Sequence, residues 1–101
     1  MKSNPQFDYY DWIHDYSVIP EHIIDALERY TEKGISPGHF LTAVIEGDLF
    51  EAIGRADNEN MRILVQIACY VYNNVKAPTR YKGCVAFWGK EQSRLREEKN
   101  V

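Results

Sequence analysis

Residues 28–60, ERYTEKGISPGHFLTAVIEGDLFEAIGRADNEN, carry three sets of helix stop-and-start signals in quick succession. Gly34 is placed to end a helix as a left-handed cap, because it alone has no Cβ to clash there. Ser36 and Pro37 then read as the N-cap and first residue of the next helix, where proline's missing N–H costs nothing. Gly47 ends that helix. Asp48, with Glu51 three residues on, has the form of a capping box, and Asp57 can cap again. Punctuation this dense forbids long helices and predicts short ones folded back on one another.

Hydrophobic spacing fills in the elements. Residues 20–33 predict a helix with Ile23, Ile24, Leu27 and Tyr30 inward, and the helix after Pro37 turns Phe40, Leu41, Val44 and Ile45 inward. Leu49, Ala52, Ile53 and Ala56 form the buried stripe of the next. Residues 59–74 leave almost no polar face, which predicts one unbroken helix at the centre of the fold. Pro78 and Gly83 mark a loop over 75–83, and CVAFW after it is ambiguous between strand and helical turn. Residues 90–99 predict a charged helix. The expected fold is all-α, a single small domain of four to five short helices around a central apolar one. It divides into an acidic aromatic segment (1–18), a helical domain (19–89) and a charged C-terminal helix (90–101).

A chain of 101 residues, 45% apolar and 27% charged, has room for one globular domain. No apolar run approaches the roughly 18 residues that would span a bilayer. The first residues, MKSNPQFDYYDW, lack the apolar stretch of a leader, so the expected location is cytoplasmic. Cys69 and Cys84 read as free thiols, Cys69 in the core and Cys84 nearer the surface, with a bridge between them left open.

A net charge of −3 gives no reason to expect direct nucleic-acid binding, but the charge is unevenly spread. Residues 1–60 carry −8 and residues 61–101 carry +5. One consequence would be an acidic end that covers the basic end, in the same subunit or in a neighbour, and hence a homo-oligomer. Around the acidic end, Asp8, Tyr9, Asp11, Trp12 and Asp15 fit either a packed amphipathic helix or an arm that docks a basic partner. At the basic end, Arg80, Tyr81, Lys82 and Trp88 interleave cations with aromatics, as a nucleotide site would. The same residues fit a tryptophan that closes a small core. Arg55, beside a fresh helix start, fits an anion site or an ion pair with Asp57 or Glu59. No catalytic motif is present, and His14, His22 and His39 lack the spacing of metal ligands, so neither a metal nor a cofactor is implied.

The pattern IPEHIIDALERY, then PGHFLTAVIEGDL, then GRAD, with a later YN pair and WG pair, resembles a family of short helical proteins of phages and prophages. The likeness covers residues 19–74 well and Trp88-Gly89 more loosely. This chain departs from the family at its acidic N-terminus, at Gly47 where asparagine is expected, and in the basic stretch before Trp88. The resemblance implies no activity and gives no residue a catalytic role. It implies a phage-type accessory protein that is not an enzyme and acts by binding. Such a protein would be an anti-defence inhibitor that mimics nucleic acid toward a host protein, or a sequestering protein for a small nucleotide signal. The alternative class is a small metal-dependent nuclease or nucleotide hydrolase.

Overall fold

A computed structural model describes the backbone of residues 9–99 and the side chains of residues 10–98. Among these the protein is all-α. Its elements are α1 (Tyr9–Ile13), a 3-10 turn (Tyr16–Val18), α2 (Glu21–Lys33), α3 (His39–Glu46), α4 (Leu49–Arg55), α5 (Asn58–Arg62), α6 (Leu64–Asn74) and α7 (Cys84–Lys99). That is more and shorter pieces than the four to five helices the sequence predicts.

The core gathers on α2. Leu27 and Tyr30 are wholly buried, and Ile23 nearly so, against Leu41 and Ile45 of α3, Ile67 and Val71 of α6, and Cys84 and Val85 of α7. The end of α2 explains why α7 lies where it does. Gly34 adopts a left-handed φ of 68° and its N–H returns to the Tyr30 carbonyl at 2.8 Å. A Cβ at Gly34 would sit 2.9 Å from the Gly89 Cα, so the two glycines mark a close backbone crossing. From α7, the Trp88 indole N–H donates to the Thr31 carbonyl at 3.1 Å, and Arg96 donates to the Lys33 carbonyl at 3.1 Å. Carbonyls that a helix end leaves without partners are thus taken up by the next helix but four.

The caps read from sequence are largely present. Asp48 accepts from the Glu51 N–H at 3.2 Å, and Asp57 accepts from the Asn60 N–H at 2.7 Å. Glu51 does not complete a capping box; its carboxylate takes the Arg55 Nε at 2.7 Å. Ser36 and Pro37 are not helical. Gly38 is the N-cap of α3, at a φ of 96°, so the turn after α2 is longer than expected.

Several expectations are corrected. The helix over 59–74 is broken at Ile63 (φ −119°, ψ 16°), which ends α5 and starts α6 while its side chain packs on the core. Val65 and Tyr72 of α6 face outward, while the helix packs on α1, the 3-10 turn, α3 and α5, as a central helix does. The stripe on α4 is mostly outside, with only Ala52 buried among Leu49, Ala52, Ile53 and Ala56. The cysteines exchange places, Cys84 fully buried and Cys69 partly exposed, and both are free. CVAFW is helical and continuous with the charged helix, so α7 begins at Cys84 rather than at residue 90. Its first turn receives a cap from another element, the Glu46 carboxylate accepting from the Val85 N–H at 3.3 Å.

Candidate functional site

The loop between α6 and α7 is built as a plug for the end of α3. Arg80 takes a φ of 72°, and its backbone N–H donates to the Ile45 carbonyl at 2.7 Å. The Tyr30 hydroxyl holds the same loop from below, donating to the Pro78 carbonyl at 2.6 Å. These anchors decide the fate of the cationic aromatic cluster. Tyr81 and Lys82 are exposed, and the Arg80 guanidinium stacks 4.9 Å from the centre of the Tyr72 ring. Trp88 is half-buried against the core with its N–H held by Thr31, the arrangement of a tryptophan that closes the core. Arg55 stands apart at the end of α4, paired with Glu51 rather than with Asp57 or Glu59.

At the acidic end, Asp8 lies outside the described residues, and Tyr9 is described only as the first residue of α1. Residues 10–18 form no free arm. Tyr16 packs edge-on against Tyr70 of α6, with ring centres 5.2 Å apart, and Gln66 of α6 donates to the Trp12 carbonyl at 3.4 Å. The expected helix is cut short, because Asp15 caps the 3-10 turn by accepting from the Ser17 N–H at 3.2 Å. Asp11 and Trp12 face solvent in part.

Two features were not singled out in the sequence. The first is a line of carboxylates on the outer side of α2: Glu21, Asp25, Glu28 and Glu32, at successive spacings of four, three and four residues. That spacing keeps all of them on one side of the helix, over about 16 Å of its length. Glu28 lies toward α6, where the Tyr70 phenol is pushed up first by burial and then by the Glu28 charge. Ion pairs among the described residues stay within single helices, joining Glu51 to Arg55 and Arg94 to Glu91 and Glu98. None of them ties the acidic half of the chain to the basic half.

The second is an apolar groove of about 520 Å³ between α4 and α6, floored by Ala43, Ala52 and Cys69 and edged by Leu49, Val65 and Tyr72. Phe50, which does not line it, is 82% exposed, with Tyr72 at 68% and Leu49 at 58%. A wider, more polar groove of about 780 Å³ separates α3 from α7, and its Arg94 is held by Glu91 and Glu98. Among the described residues no cluster of histidines, cysteines and acids is arranged to hold a metal, and no helix is long and apolar enough to cross a membrane. The Cys84 thiol is pushed up chiefly by burial, which keeps it protonated and unreactive.

No protein-family model, no curated protein and no solved structure matches this chain.

Proposed function

We propose that the protein is a small accessory protein of the phage type that acts by binding, blocking or sequestering a basic host component through its acidic side. The observation that carries this reading is the line of outward carboxylates on α2. A helix face with charges of one sign costs stability through self-repulsion, and these are not neutralised by the chain's own basic half. A basic partner would relieve that repulsion and be steered to the site by it. Asp11, on the segment preceding α2, adds to the same sign of charge. The nucleotide-sequestering reading is weaker, because Trp88 is engaged with the core and Arg80 with Tyr72.

The test replaces Glu21, Asp25, Glu28 and Glu32 with their amides and compares capture of a host component by the two proteins. The expected result is a stoichiometric basic partner held by the native protein, released by salt, displaced by duplex DNA and lost in the variant. A partner retained equally by the variant, or one indifferent to salt, would remove the acidic side from the account. Heat on titration with a nucleotide, abolished by Lys82→Ala, would favour sequestration instead.

A further inference from the structure

We infer that the groove between α4 and α6 binds a small amphiphile, a free fatty carboxylate whose chain lies along α6 and whose head meets Arg80.

The groove has unlike ends. On α6 its lining runs from Leu64 and Val65 to Tyr72 and Asn73, eight residues on and about 12 Å along the helix. α6 carries no Asp, Glu, Lys or Arg, and Ala43, Ala52 and Ala68 leave open the space that larger side chains would fill. Charge gathers at the Tyr72 end. The Arg80 Cα lies 3.6 Å from where a Gly47 Cβ would stand, and its guanidinium is 4.9 Å from the centre of the Tyr72 ring. Gly47 and Tyr72 both line the groove, so Arg80 spans that end from one wall to the other. The ion pairs among the described residues do not include Arg80. Contact with a ring leaves guanidinium N–H groups able to take a carboxylate. Asp48, next to Gly47, is the acid on the lining. Its carboxylate accepts from the Glu51 N–H, so the positive end of α4 offsets part of its charge.

These dimensions and charges select the occupant. A volume of about 520 Å³ is that of a small-molecule site. Spread over ~12 Å it has a mean section of about 45 Å², roughly half that of a helix 10–12 Å across. The walls are helices, whose backbone groups pair along their own lengths, so an extended peptide would find no ladder to join. A wholly apolar occupant would cover Arg80 and leave its charge without a partner, which is costly. An apolar chain with a carboxylate head matches the length, the section and the cation together. This site is separate from the outer side of α2 and does not depend on what binds there.

Cys69 lines the groove and is partly exposed, whereas Cys84 is fully buried, so alkylation of the intact protein by N-ethylmaleimide reports on the groove. Decanoate should slow that reaction saturably. Hexanoate, octanoate and decanoate should bind successively tighter, by on the order of tenfold for each added pair of CH₂ groups. Decanol, with the same chain and no charge, should bind at least about tenfold more weakly than decanoate. Arg80→Asn keeps a residue that tolerates the left-handed backbone. It should bring decanoate down to the level of decanol and leave decanol unchanged. Asp48→Asn keeps an equally good cap and should tighten decanoate by removing the opposing charge. Ala68→Trp, at an exposed position, should keep the native circular dichroism and abolish binding of both. A Cys69 rate unaffected by decanoate would overturn the inference. So would decanol binding as tightly as decanoate, or decanoate binding unchanged in Arg80→Asn. Protection of Cys69 only by anionic phospholipid vesicles, or only by an amphipathic peptide, would assign the groove to a membrane or a protein instead and equally overturn it.

Discussion

Tyr30 joins three parts of the molecule with one side chain. Its ring is wholly buried in the core, and its hydroxyl holds the Pro78 carbonyl and lies 3.5 Å from that of Cys84. Tyr30→Phe should cost about 1–2 kcal/mol in denaturant unfolding, because it leaves the Pro78 carbonyl without that donor. Burial raises the Tyr30 phenol well above its ordinary value of 10.0, and burial likewise raises the Cys84 thiol above 9.0. Both groups are therefore protonated in the fold at pH values where the unfolded chain has begun to lose those protons. Their contribution is complete below the ordinary values and falls as the pH rises through and beyond them. Thermal melts should thus be flat in this respect near neutrality and drop steeply above about pH 9–10, with a shallower drop in Tyr30→Phe. The cysteines also show where residue-level reading stops. An apolar neighbourhood in sequence placed Cys69 inside, but the helix turns it toward the groove, whereas Cys84 sits under the Tyr30 hydroxyl.

At the scale of elements, the helix ends are the best-read feature, because a cap depends on a few adjacent residues. Gly34, Gly47, Asp48 and Asp57 all act where their residue types predict. Asp48→Ala and Asp57→Ala should each cost about 1 kcal/mol of stability, read from the unfolding midpoint. What no local signal could give is the capping of one helix by another. Trp88, Arg96 and Glu46 each reach across sequence to a helix end, and in composition Trp88 looked like part of a binding cluster. The crossing of Gly34 and Gly89 belongs to the same class. A Cβ at Gly89 would lie 3.0 Å from the Gly34 carbonyl oxygen. Gly89→Ala should then push α7 off α2 and cost on the order of 1–3 kcal/mol, although alanine favours helix over glycine. A melting temperature unchanged or raised would refute the close crossing. The break at Ile63 was illegible for a different reason, since the apolar spacing continues through it.

On the scale of the whole molecule, the sequence marks which faces are apolar but not what each one meets. Leu49 and Ile53 have the spacing of core residues and lie on the outside. The acidic and basic halves, so evident in the sequence, pack together through α2 and α7 with no ion pair between them among the described residues. The most direct test of the claim that the outer side of α2 is the binding surface is salt-dependent capture of a basic partner by the native protein and by the variant in which Glu21, Asp25, Glu28 and Glu32 are replaced with amides. The account predicts capture that weakens as salt rises and is lost in the variant. Capture that the variant retains, or that salt leaves unchanged, would contradict it.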